Sequence, residues 1–368
     1  MEARTNRTPP VGQLMILGFE GTEISAGLAS LLARIQPAGV ILFARNILSA
    51  QQTHKLLRDC RALVSSPLLT CVDLEGGRVD RFRNVIGPSP SAAEVFASGE
   101  GRLFRRHGQC IGESCRALGF NTDFAPVVDL AFEASRRVMS SRAVSADPKE
   151  AAAYAREFLA GLRSAAVLGA IKHFPGLGEA NLDTHHELPS VGKPWRKLWE
   201  QDIAPYRTLR RNAPMVLVGH AAYPAVTRDH IPASLSKKWI TGVLREKIGY
   251  RGLVVSDDLE MGGVLKAASI GQAAVGHIRA GGDLCLVCHL EEHVVQAYEA
   301  LIHEVERDGR FVRRCQDSLA RLQRFKKASK ELTRSAPAPT PRKIEKLTQR
   351  LREFGERVRL QSREPGEA

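Results

Sequence analysis

Several common sources of stability and cellular address find little support in this sequence. Seven cysteines are scattered along 368 residues, an odd number without regular spacing, which excludes a compact disulfide framework. Cys71, Cys110, Cys115, Cys285 and Cys288 lie in apolar surroundings, where free buried thiols are found. No stretch approaches the roughly 18 apolar residues of a membrane-spanning helix, so no span is predicted. No apolar leader run precedes Val11, so the sequence predicts no secretory signal and a reduced, cytoplasmic setting. The formal net charge is +13, yet no nucleic-acid-binding motif accompanies it. Much of the excess sits in the Arg-rich start and beyond Lys326, where it reads as solvated charge, and no nucleic-acid partner is expected.

What is present is ordinary for a globular protein: 43% hydrophobic and 25% charged residues. A chain of this length can bury a large core without a metal or disulfide staple. Short apolar runs recur at Gln13–Gly18, Gly39–Phe43, Leu68–Asp73, Asn121–Val127, Gly169–His173, Met215–His220, Gly252–Asp257 and Asp283–Val287. Most are continuous rather than alternating, as in strands covered on both faces. Helical patterns lie between them, including Ser49–Val64, Pro148–Leu168, Lys193–Arg211 and Ser236–Lys247. Ser49 and Asp147 are placed as N-caps, the latter followed by Pro148 at the first turn. Eight such units predict a single (β/α)8 barrel, with a doubly wound sheet as the alternative.

A further helical segment runs from about Glu291 to Glu331, giving a barrel unit over residues 1–334. The Pro-rich stretch 335–341 reads as a linker. Residues 342–368 form a charged tail whose helix candidate, Arg342–Leu360, carries apolar positions at Ile344, Leu347, Leu351, Phe354 and Val358. That pattern leaves three states open: packed on the barrel, joined to a partner, or free. The oligomeric state is not encoded in any of these features.

Several apolar strands end in polar residues. Leu68–Val72 leads to Asp73, Ala170-Ile171 to Lys172 and His173, Val216–Gly219 to His220, and Val254–Ser256 to Asp257 and Asp258. In a barrel these C-terminal strand ends meet on one face, where catalysis takes place. A loop anchor is a sufficient explanation for any one of them but a poor one for all together. His220 is placed as a pocket-lining residue, against the alternative of a buried strand-end histidine. After Lys172-His173 comes a Gly- and Pro-containing loop in which Asp183 and His185 stand two apart. A carboxylate at that spacing can hold an imidazole in one tautomer and support its charged form.

Other motifs carry less. Cys285-Leu-Val-Cys288-His289 fits a haem-attachment pattern, but it lies within the run Gly282–Leu290, which reads as the last barrel strand. Gly176-Leu-Gly178 lacks the third glycine of a dinucleotide fingerprint. Asp258 is read as a supporting or helix-capping group rather than half of a metal pair, and Glu75 as an ion-pair partner of Arg78 within a Gly-rich turn. No metal or organic cofactor is expected.

Five segments together resemble the bacterial β-N-acetylglucosaminidase branch of glycoside hydrolase family 3. Asp73-Leu-Glu-Gly-Gly-Arg-Val79 is similar to that branch's Asp-Gln-Glu-Gly-Gly-Arg-Val. Asp123-Phe-Ala-Pro-Val-Val-Asp129 follows in order, then Lys172-His-Phe-Pro-Gly-Leu-Gly178, Asp183-Thr-His185 and Ser256-Asp-Asp-Leu-Glu-Met261. The resemblance spans about Gln13 to Val287. It departs at Leu74, where the branch has Gln, at Leu177, where it has His, and around Arg136–Ser145.

The resemblance implies Asp257 as nucleophile, His185 as general acid/base and Asp183 as its orienting partner. It implies that Asp73, Arg81, Arg142, Lys172 and His173 hold the sugar. The implied partner is a small carbohydrate, a GlcNAc-containing muropeptide or oligosaccharide, cleaved with retention through a covalent intermediate. Phosphorolysis, a β-glucosidase of the same family and a non-catalytic sugar-binding barrel are the alternatives.

Overall fold

Eight short segments, most of them apolar, pair edge to edge until the last meets the first. They are β1 (Met15–Leu17), β2 (Gly39–Ile41), β3 (Leu69–Val72), β4 (Thr122–Asp123), β5 (Leu168–Phe174), β6 (Met215–Val218), β7 (Leu253–Asp258) and β8 (Leu284–Val287). The computed structural model describes residues 9–180, 188–334 and 336–362. Every neighbouring pair is parallel and spatial order follows chain order, with Met15 paired to Cys285 at the closure. The architecture is a (β/α)8 barrel. Closure satisfies both backbone edges of every strand, which an open sheet could not do.

Side chains alternate between two environments. Ile16, Ile41, Cys71, Ala170, Leu217, Val255 and Leu286 pack together in one cluster, filling the barrel. Met15, Leu17, Val40 and Val72 point the other way and join the cores beneath the helices. The seven cysteines are free and buried. No helix among the described residues is long and apolar enough to cross a membrane.

Helix starts follow the expected chemistry. Ser49 accepts a hydrogen bond from the Gln52 N–H at 3.2 Å, opening Ala50–Ala62. Asp147 accepts from the Lys149 N–H at 2.7 Å, with Pro148 at the first position of Pro148–Ser164. That helix lies against Gly101–Leu118 at close range, because a side chain at Gly108 would collide with the Phe158 carbonyl.

Three expectations are corrected. The segment Lys193–Arg211 is two short helices, Trp195–Glu200 and Ala204–Leu209. They part where Asp202 turns inward to the Lys193 ammonium, 2.7 Å away, and Pro205 starts the second helix. The regular ladder of the fourth strand ends at Asp123 instead of Val127: the register then shifts, so that the Ala170 N–H bonds to the Ala125 carbonyl, and pairing resumes only as a bridge from Val127 to Lys172. Lys238–Lys247 winds as a wider π-helix, closed by a bond from the Ile248 N–H to the Val243 carbonyl at 2.9 Å.

The C-terminal helix Pro341–Gln361 lies on the barrel. Leu347, Leu351, Phe354 and Val358 are buried in the main hydrophobic core. The Phe354 ring stacks on His107 at 5.7 Å between centroids. Arg350 and Arg357 reach Glu113 and Glu100 at 3.3 Å each. Those exposed pairs add little; the buried stripe holds the helix. Phe354→Ala is therefore expected to cost about 3 kcal/mol of folding stability. Urea denaturation checks this, and a loss below about 1 kcal/mol would show that the helix is only loosely applied.

Candidate active site

The C-terminal ends of β2, β3, β5, β7 and β8 open onto one cleft. It comprises a cavity of about 350 Å³ and a smaller one of about 130 Å³, which share Asp73, Arg81, Asp257 and Met261. Asp257 stands on β7 where the two meet.

Its surroundings are cationic or hydrogen-bond donating. The Asp258 N–H donates to Asp257 Oδ1 at 2.9 Å. Burial alone would raise the Asp257 pKa, but His173, His220 and Lys172 outweigh it and hold the carboxyl below its ordinary value. His220 is fully buried beyond the end of β6. Its Nε2–H donates to the Asp258 carbonyl at 2.8 Å, and Nδ1 shares a hydrogen bond with the Ser234 hydroxyl, also at 2.8 Å. Burial lowers its pKa, and the Asp257 carboxylate and the bond to the Asp258 carbonyl work against that.

Lys172, the penultimate polar residue of β5, is the hub of a second group. Its Nζ lies 2.7 Å from Asp73 Oδ1 and 2.7 Å from Glu75 Oε1. Burial would lower the Lys172 pKa; the two carboxylates reverse this and hold it above its usual value. Glu75 is buried on a two-stranded hairpin, Leu74–Gly76 with Val79–Asp80, that follows β3. Arg142 grips Glu75 with two parallel bonds, Nε to Oε2 at 2.7 Å and a terminal nitrogen to Oε1 at 2.8 Å. Burial opposes ionisation of Glu75, yet Arg142 and Lys172 keep it far below the usual carboxylate range. The expected Glu75–Arg78 pair is thus replaced: Glu75 turns to cations from distant parts of the chain, and Arg78 lines the smaller cavity.

His173 is oriented from the other side. Its Nδ1–H donates to Asp129 Oδ2 at 2.6 Å, leaving Nε2 towards Arg142 at 3.4 Å. Asp129 Oδ1 accepts from the Leu177 N–H at 2.7 Å, so one buried carboxylate fixes both the imidazole and the start of the following loop. The Leu177 side chain is itself buried in an apolar cluster and borders the cleft. Gly176 has φ +131°, and a Cβ there would come within 2.6 Å of Asp202 Cβ.

The larger cavity has an aromatic and basic wall. Arg45 and Arg81 approach the Phe43 ring at 4.7 and 5.5 Å. His289 stacks on the same ring at 5.4 Å and meets Asp258 Oδ2 at 3.1 Å. A hydrogen bond to Asp258 raises the His289 pKa.

Seven of the nine residues singled out from the sequence are described, and all seven gather at this end of the barrel: Asp73, Arg81, Arg142, Lys172, His173, His220 and Asp257. Asp183 and His185 fall in 181–187, outside the described residues. Glu75, Asp129, Phe43, Arg45 and His289 were not assigned to the site from the sequence. Phe43, Arg45 and His289 follow strands β2 and β8, so the strand-end rule could have found them. Among the described residues, no group of three or more His, Cys, Asp or Glu side chains is placed to hold a metal ion.

Comparison with known proteins agrees with this geometry. The family model described as the glycosyl hydrolase family 3 N-terminal domain matches residues 9–325. A protein named beta-hexosaminidase from Xanthomonas campestris pv. campestris (strain B100) is 37% identical over 285 residues, 76% of this chain and 85% of its own. One of the same name from Stenotrophomonas maltophilia is 35% identical over 285 residues, covering 76% and 84%. Among solved structures, a family 3 beta-N-acetylglucosaminidase from Paenibacillus sp. str. FPU-7 superposes with a TM-score of 0.85 at 31% identity, over 94% of this chain and 68% of that one. The beta-N-acetylglucosaminidase of Thermotoga maritima gives 0.76 at 26% identity, over 92% and 69%. With its barrel, its strand-end polar residues and these relatives in agreement, the chain belongs to glycoside hydrolase family 3.

Proposed function

We propose that this protein is a retaining β-N-acetylglucosaminidase that removes terminal β-linked N-acetylglucosamine from small GlcNAc-containing fragments, muropeptides among them. The observation that carries the mechanism is Asp257: a carboxylate at the centre of the cleft, favoured in its ionised form by Lys172, His173 and His220. The names of the relatives support the substrate class.

In the proposed reaction an Asp257 oxygen attacks the anomeric carbon as the glycosidic bond breaks. His185, oriented by Asp183, gives the leaving oxygen its proton, then takes one from the water that releases the sugar. Asp73, Arg81, Arg142, Lys172 and His173 form the sugar-binding group. Within it, Arg142 and Lys172 are held by Glu75, and His173 by Asp129, so their positions are set before substrate arrives. His220, with both nitrogens bonded to protein groups, acts on the floor of the pocket through Asp257 and the Asp258 backbone. Asp257, His185 and Asp183 are the catalytic residues of this reading.

Asp257→Asn should lower kcat/KM for an aryl β-N-acetylglucosaminide by about three orders of magnitude. The matching β-glucoside should be turned over poorly by the unmodified enzyme. Preference for the glucoside would reject the N-acetyl specificity, and a phosphate-dependent rate yielding sugar phosphate would replace hydrolysis with phosphorolysis.

The depressed Asp257 pKa fixes the sign of one pH effect. The nucleophile is active above its pKa and inactive below it, so the acid limb of kcat/KM should lie below about pH 4. A limb at pH 5 or above would show that the surrounding cations do not hold the carboxylate ionised.

Removing the charge of Glu75 tests the supporting network. Glu75→Gln leaves two buried cations short of a partner and should cost about 3 kcal/mol of stability. As Arg142 and Lys172 lose their anchor, kcat/KM should fall about 100-fold. Unchanged stability and kinetics in that variant would remove Glu75 from the account.

A further inference from the structure

The face of the barrel opposite the active site has its own cavity, of about 870 Å³. It runs along the helices Lys238–Lys247 and Ile270–Ala280 and is walled by residues of the helix Gly309–Ala328. Arg251 and Gly281, which line it, lie shortly before β7 and β8, at the strand ends away from Asp257.

The lining is strongly one-sided, with seven cationic residues against two carboxylates among the described residues. Much of that charge lacks compensation. Arg245, Arg314 and Arg321 all turn to Asp283, a single fully buried carboxylate. Asp283 is already satisfied by the Ser318 hydroxyl at 3.0 Å and the Val254 N–H at 2.9 Å. Arg314 also reaches the exposed Asp317, at 3.2 Å. The cluster therefore keeps an excess of positive charge where burial makes it costly. Burial lowers the pKa of both Arg245 and Arg314 against the opposing pull of Asp283. Arg279 is paired with Glu304 and Asp308. Lys237, Arg251 and Arg310 are exposed at the cavity and make no ion pair among the described residues.

A bound anion would offset the positive charge that these pairs leave over. Planar guanidinium groups converging from three segments suit closely spaced phosphate oxygens, which accept forked N–H pairs, better than one isolated carboxylate. From this we infer that the cavity is a binding site for a small molecule bearing two or more adjacent phosphate groups, separate from the sugar cleft. The ligand bridges Arg251 and Arg310, with the Asp283-held arginines forming the wall behind it.

Isothermal titration of the full chain with inorganic tripolyphosphate, ADP and citrate tests this, using Arg251→Ala, Arg310→Ala and the double variant. Saturable one-to-one binding of tripolyphosphate or ADP is expected, weakening about tenfold in each single variant. Aryl-substrate hydrolysis should be unchanged in both. Tighter binding of ADP than of tripolyphosphate would identify a nucleotide, and the reverse a bare phosphate chain; either supports the site. Absence of saturable binding overturns the proposal. So does binding that survives the double variant, or citrate binding as tightly as the phosphates.

Discussion

One buried ammonium, Lys172, ties the active end of this barrel together. It sits between Asp73 and Glu75 at 2.7 Å from each, and Glu75 in turn fixes Arg142. Each of these charges would be expensive to bury alone. Together they are nearly neutral, and the geometry that makes them affordable also leaves little freedom of position. β5, the hairpin after β3 and the turn carrying Arg142 are thereby locked to one another. The wall that faces the proposed nucleophile is thus built before any sugar enters.

The same economy governs the other side of the cleft. Asp129 serves His173 with one oxygen and the Leu177 N–H with the other. Tautomer, ring orientation and loop path are set by a single carboxylate. Leu177 stands where the resembling sequences have histidine, and its side chain lies in an apolar cluster instead of offering a hydrogen bond. The backbone bond that holds this part of the loop does not depend on the side chain, so the substitution leaves that anchor intact.

Polar residues at strand ends were legible because loop anchoring explains one strand that finishes in Asp, Lys or His but not several that do so on one face. Lys172, His173, Asp257 and Asp73 were found that way. Phe43 and His289 obeyed the same rule but went unassigned: an aromatic residue resembles core, and His289 sat inside a pattern with two cysteines. Glu75 misled for a different reason. Its nearest basic neighbour in the sequence is Arg78, and proximity along the chain is the only pairing evidence a sequence offers. The break inside Lys193–Arg211 was hidden similarly, since the inward turn of Asp202 answers to a buried lysine and not to helical periodicity.

The sequence by itself determined where the eight strands lie, a parallel barrel as the favoured way to join them and the face on which chemistry would collect. These follow from local quantities: apolar run length, capping residues and the character of each strand end. Tertiary structure alone decided which charges neutralise which. Glu75 and Arg142 are 67 residues apart in the chain, and Lys172 and Asp73 are 99 apart. A buried ion takes the partner that closure of the barrel brings within reach, because only a direct contact repays its lost water.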